Sequence, residues 1–103
     1  MRILEYRVIG QRLVPTGDHS GLVAGTTGYL RARFMFNNDW NDCIKRVTFV
    51  ADGVEYPVRL VNDECVIPPA ALKDTIFELY VEGRKQNYEI ISRPTRERQL
   101  AKR

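Results

Sequence analysis

Between Tyr29 and Val81 the apolar residues of this chain fall on every second position. Leu30, Ala32, Phe34 and Phe36 share one face, while Tyr29, Arg31, Arg33 and Met35 share the other. The pattern recurs at Val47, Phe49 and Ala51, at Tyr56, Val58 and Leu60, and at Phe77, Leu79 and Val81. Successive side chains of a strand point to opposite faces, so alternation repeated this often predicts antiparallel sheet with one buried side.

The punctuation between these segments is equally specific. Asp52-Gly53 separates Lys45–Ala51 from Val54–Val61 and suits a two-residue type I′ hairpin. Pro57 lacks a ladder donor, which places its strand on an edge or beside a bulge. The corner Asn37-Asn38-Asp39-Trp40-Asn41-Asp42 is rich in residues that make turns through side-chain to backbone bonds. Ile3–Ile9 reads as a first strand closed by Gly10, with Gln11–Val14 continuing it up to Pro15-Thr16-Gly17-Asp18. Residues 19–28 read as a loop or arm holding one short apolar step, Leu22-Val23-Ala24. Cys65-Val66-Ile67 is a short strand ended by Pro68-Pro69, and Ala70-Ala71-Leu72 is one helical turn with Pro69 at its start. Thr75–Glu82 is a strand ended by Gly83, and Tyr88–Ser92 is the last strand. Pro94 then blocks simple extension, and Thr95–Arg103 reads as a short polar helix or a disordered tail.

About seven short strands with frequent turns predict an all-β, immunoglobulin-like antiparallel sandwich, with a small β-barrel as the alternative. At 103 residues the chain has room for one core. The expected organisation is a single domain over residues 1–92, with 1–28 partly an arm or loop, followed by a basic tail over 93–103. No apolar run reaches the roughly 20 residues that span a bilayer. The charged N-terminus is unlike a secretory signal, so folding in the cytosol is expected.

Charge is unevenly distributed. The segment 93–103 carries Arg93, Arg96, Arg98, Lys102 and Arg103 against Glu97, a net of +4, whereas the whole chain is +3 and the remainder therefore about −1. A nucleic-acid platform would carry basic residues over its folded surface, so a near-neutral body argues against one. The tail is then either a solvated terminus or an arm that docks on an acidic partner or on nucleic acid.

Few residues offer chemistry. His19 is the only histidine and lies in a polar loop, flanked by Asp18 and Ser20; neighbours in sequence do not present three side chains to one point, as a catalytic triad requires. Asp39/Asp42 and Asp63/Glu64 fall where turns favour such residues for backbone reasons. Gly25-Thr26-Thr27-Gly28 lacks the Gly-Lys-Ser/Thr ending of a phosphate loop. Two cysteines and one histidine do not make a four-ligand zinc site, and Cys43 and Cys65 read as unbonded thiols at or near the core. Neither a metal nor a cofactor is expected, and no enzymatic activity. Trp40 has two readings, a corner residue capping the core or an exposed binding anchor. Tyr29, Tyr80 and Arg33 fall on outer faces and are candidate partner contacts. Together with Trp40 and the basic residues of the tail, Tyr29 and Arg33 make up the candidate interaction set.

One resemblance emerges from these segments. Phe34-Met35-Phe36-Asn37-Asn38-Asp39-Trp40, Lys45-Arg46-Val47-Thr48-Phe49, Tyr56-Pro57-Val58-Arg59-Leu60, Cys65-Val66-Ile67-Pro68 and Phe77-Glu78-Leu79-Tyr80-Val81-Glu82-Gly83 resemble small β-sandwich modules of tailed-bacteriophage structural proteins. Such modules occur in tail, baseplate and head-fibre components. The likeness covers residues 30–83, about half the chain, and consists of core and turn residues, so no functional residue transfers with it. It implies a non-enzymatic virion component, made in the bacterial host cytoplasm, that forms homo-oligomers and contacts other virion proteins. A carbohydrate- or cell-surface-binding module, with Trp40 and nearby tyrosines stacking on sugars, is the alternative.

Overall fold

A computed structural model describes residues 1–102. The strands are β1 (Arg2–Ile9), β2 (Arg12–Thr16), β3 (Leu30–Phe36), β4 (Ile44–Ala51), β5 (Val54–Arg59), β6 (Glu64–Val66), β7 (Ile76–Lys85), β8 (Tyr88–Ile91) and β9 (Thr95–Arg98). They form a four-stranded sheet, ordered β2-β1-β3-β6, and a five-stranded sheet, ordered β5-β4-β7-β8, with β9 also paired to β7. The two pack as a sandwich. The expected all-β sandwich is therefore what forms, with more strands than expected and with one parallel pair, β1 with β3.

The alternating residues behave as their period demands. Leu30, Ala32 and Phe34 are buried, as are Val47, Phe49 and Ala51, and Phe77, Leu79 and Val81. From β1 come Leu4, Tyr6 and Val8. The turns follow the same economy. Asp52 and Gly53 both have positive φ, 51° and 73°, as a type I′ turn requires. Asp42, Asn62, Asp63 and Asn87 also lie in the left-handed region, where short polar side chains are tolerated. These acids are turn residues first. Pro69–Leu72 forms a single 3₁₀ turn where a helical turn was expected.

Pro57 sits on an edge strand, and the register shows why it is tolerated there. The Leu60 N–H donates to the Lys45 carbonyl at 3.0 Å, which makes Lys45 and Leu60 a hydrogen-bonded pair. The next pair, Arg46 and Arg59, is then non-hydrogen-bonded, and so is Thr48 with Pro57. The missing N–H of Pro57 belongs to the outward row, so β4 loses no donor and the free edge of β5 has one fewer to offer another strand.

Two expectations about the chain's end are overturned. Gly83 does not end its strand: β7 continues to Lys85. Glycine is needed here because Trp40 lies against it; a Cβ at Gly83 would meet Trp40 Cε3 at 2.7 Å and Cζ3 at 2.9 Å. The segment after Pro94 is neither helix nor loose tail, because Thr95–Arg98 pairs antiparallel with Ile76–Leu79. Glu82 faces Ile91 and Leu79 faces Thr95, so Tyr80 and Val81 stand opposite three residues, Ser92, Arg93 and Pro94. That is a β-bulge, and it admits a proline within a strand. Ser92 holds it: its N–H donates to the Val81 carbonyl at 2.9 Å, and its Oγ accepts the Val81 N–H at 3.0 Å. The Arg93 N–H turns away and donates to the Gln11 carbonyl at 2.8 Å.

Trp40 is fully buried, which settles its two readings in favour of the core. It ends a 3₁₀ turn, Asn38–Trp40, and closes one end of the sandwich. Its indole N–H donates to the Gly10 carbonyl at 2.9 Å, and its ring lies 5.0 Å from that of Phe36. The Gly83→Ala variant is expected to lose roughly 1–3 kcal/mol through overpacking against this ring. Chemical denaturation followed by Trp40 fluorescence measures that loss; unchanged stability would show that the contact is slack.

Candidate functional site

One polar cluster lies inside the molecule and not on its surface. Tyr6 projects inward from β1 and Glu97 from β9, so they meet across the two sheets. The Tyr6 hydroxyl donates to Glu97 Oε2 at 2.5 Å. Burial, then the neighbouring Glu97 carboxylate, raise the Tyr6 pKa well above its ordinary value, so the phenol remains a donor. His19 Nδ1 lies 2.6 Å from the same oxygen. Its Nε2 faces two carbonyl oxygens, those of Thr16 at 2.8 Å and Glu5 at 3.0 Å. Both are acceptors, so Nε2 carries a hydrogen. Glu5 and Thr16 are register partners at the end of the β1/β2 ladder. One imidazole therefore ties that ladder to β9.

His19, in the sequence a residue of a polar loop, is thus largely buried. Its side chain is 12% exposed and that of Glu97 6%. Every polar atom of the imidazole is occupied by a structural partner. The loop that carries it is also held beyond the cluster. Leu22 and Ala24 are buried on either side of exposed Val23, which bridges to Leu100 in parallel. The Leu100 N–H donates to the Leu22 carbonyl at 2.6 Å, and the Ala24 N–H to the Leu100 carbonyl at 2.8 Å. Gln99 is buried, its amide donating to the Asp74 carbonyl at 2.7 Å and the Leu72 carbonyl at 3.2 Å.

The structure does not gather the candidate interaction residues into one patch. Tyr29 is half exposed just before β3. Arg33 points outward from the four-stranded sheet, 3.0 Å from Glu64 and 3.8 Å from Glu5. Arg96 points outward from the five-stranded sheet, 3.3 Å from Glu78, with Arg98 exposed opposite Ile76. Arg93 is exposed at the bulge. The aliphatic stem of Lys102 fills the space beside Gly25. Trp40 is unavailable to any partner, and Arg103 lies outside the described residues.

The outer faces are what remain for contact. On the four-stranded sheet Ile3, Ile9, Met35 and Val66 are exposed around an ion network in which Glu64 meets both Arg31 and Arg33. Hydrogen bonding to Arg33 is the main reason that Glu64 has a lowered pKa. The outer face of the five-stranded sheet is ruled by cross-strand ion pairs, Arg46 with Glu82 at 3.0 Å and Arg84 with Glu89 at 3.4 Å. Both cysteines are free. Burial pushes the Cys65 thiol up to about 12, so it remains a neutral core group.

Comparison with protein-family models, curated proteins and solved structures finds no match to this chain. The tailed-phage resemblance therefore rests on the segments quoted above.

Two outcomes are expected from the internal cluster and one from the surface. Glu97→Ala leaves Tyr6 and His19 without their shared acceptor and should cost roughly 3–5 kcal/mol in urea titration. Removing residues 94–103 should unfold the domain, measured by loss of amide dispersion in NMR. A folded, dispersed truncated protein would show that β9 is dispensable. Glu64 has a folded-state pKa below its unfolded one, so its contribution is present above about pH 4.5 and lost as pH falls through the folded value. The stability gap between the native protein and Glu64→Gln should accordingly be small at neutral pH, because the pair is partly open to solvent, and should close in acid. Urea titrations at both pH values test this; a gap that widens in acid would contradict the sign.

Proposed function

We propose that this chain is a non-enzymatic bacteriophage virion structural protein, one that oligomerises on the capsid or on the tail or baseplate and anchors or decorates it. The observation that carries the non-enzymatic part is the use made of His19, Glu97 and Tyr6. The residues best suited to proton chemistry are consumed in joining the two sheets. The mixed apolar and charged outer face of the four-stranded sheet supports a role in contact, since Ile3, Ile9, Met35 and Val66 are set among arginines and glutamates. Such mixed surfaces suit protein interfaces, whose overall apolar share is close to that of ordinary surface. The virion assignment draws its support from the resemblance over residues 30–83.

The sugar-binding alternative loses its principal element, because Trp40 is buried and offers no stacking face. Quantitative mass spectrometry of purified phage particles from the source system tests the leading reading. A fixed integer ratio of this chain to the major capsid protein is expected. Absence of the chain from the particle would overturn it.

A further inference from the structure

The outer face of the five-stranded sheet contains a groove of about 270 Å³, bounded by Arg59 of β5, Ile44 and Arg46 of β4, Glu82 and Arg84 of β7, and Glu89 of β8. Its charge is arranged unusually. Arg46 and Arg59 are direct cross-strand partners. The Lys45–Leu60 hydrogen bond makes theirs a non-hydrogen-bonded pair, the kind in which opposed side chains stand closest. Like charges directly opposed destabilise a sheet. Arg46 is compensated by Glu82 and Arg84 by Glu89. Arg59 has no carboxylate within ion-pairing distance among the described residues. A local cost thus persists at the rim of a groove, where a ligand would relieve it.

We infer that this groove binds an acidic peptide segment of a partner protein, with a carboxylate held between Arg59 and Arg46 and an aliphatic side chain on Ile44. The charge pattern selects this ligand class. Ile44 is 62% exposed beside the arginines, so a ligand with carbon next to its carboxylate covers more apolar surface than a bare phosphate does. Glu82 and Glu89 occupy the far side of the groove and repel a continuous polyanion such as a nucleic-acid backbone. An extended peptide also finds the outward N–H of Arg59 on the free β5 edge, the main-chain contact that strand addition uses. This inference does not depend on the virion reading, and the isolated chain suffices to test it.

The experiment is a ¹⁵N–¹H NMR titration with the capped peptide Asp-Leu-Asp-Leu-Asp-Leu, repeated with Lys-Leu-Lys-Leu-Lys-Leu, inorganic phosphate and a DNA duplex. Shifts centred on residues 44–46, 59 and 82–84 are expected with the acidic peptide alone. Arg59→Glu should weaken binding at least about tenfold, since it replaces an attractive charge with a repulsive one. The same variant should raise Tm by about 1–4 °C, because it turns a like-charge pair into an opposite-charge one. Lys73→Glu, on an exposed residue away from the groove, should leave affinity unchanged within about twofold. No shifts at millimolar acidic peptide, equal shifts with the lysine peptide, undiminished binding by Arg59→Glu, or tighter binding of phosphate or DNA would each overturn the assignment. An unchanged or lower Tm for Arg59→Glu would remove the like-charge cost from which it is argued.

Discussion

The structure hangs on one carboxylate oxygen. Glu97 Oε2 receives the Tyr6 hydroxyl from the opposite sheet and faces the imidazole of His19, which in turn closes the end of the β1/β2 ladder. A buried ionisable group is tolerated only when such partners replace water. Here the same partners specify the topology. Apolar contacts are non-directional and would accept β9 in several registers. The Glu97 contacts accept one, because a slip by a single residue would turn Glu97 outward and bring an arginine into the core. Part of the basic character of the C-terminal segment follows from this arrangement. Arg96 and Arg98 alternate with Glu97 and Gln99, so these two positive charges form the solvent face of a strand.

A second joint, around Trp40, is held by a steric fit. Trp40 enters the core from a 3₁₀ turn and occupies the volume that a side chain at position 83 would take. Its indole N–H needs an acceptor once buried, and the Gly10 carbonyl in the β1–β2 turn supplies it. The Asn37 N–H donates to the Val8 carbonyl, and the Tyr88 hydroxyl to the Asp39 carbonyl. The corner thus draws together β1, β3, β7 and β8. One joint is polar and directional, the other apolar and shape-dependent, and both are set into the single core built by the alternating strands.

Legibility followed the physics of each element. Strands that bury Val, Phe or Leu at every second position announce themselves, and so does a turn that needs positive φ at two residues. The edge position of Pro57 was readable from its missing donor. β9 was not readable from hydrophobic alternation because its inward residues include Glu97 and Gln99. The alternation is present in Thr95-Arg96-Glu97-Arg98-Gln99, but only in the size and charge of polar groups. Gly83 looked like punctuation because sequence shows the missing side chain and not the ring that fills its place. His19 carried no local signal at all, since its partners come from Thr16 and Glu5 on one side and from residue 97 on the other. The candidate contact set fared unevenly for the same reason: Trp40 sits inside, while Arg33 and Arg96 lie on opposite faces.

What distinguishes the surface from the interior is where opposite charges have been matched. Inside, every ionisable group in the Tyr6–Glu97–His19 cluster has a partner, and the burial of Tyr6 keeps its proton in place. Outside, the other charges that face each other directly across strands are opposite in sign, Arg33 with Glu5 and Glu64, Arg46 with Glu82, Arg84 with Glu89 and Glu78 with Arg96, which leaves the Arg46–Arg59 opposition as the departure from the rule. Natural sequences violate local consistency at a few places, and those places concentrate where a surface is used. A substitution as small as glutamate at position 59 would remove the conflict without touching the core. Retaining arginine there therefore costs stability that the fold does not require, and an anionic partner supplies the missing half of the interaction.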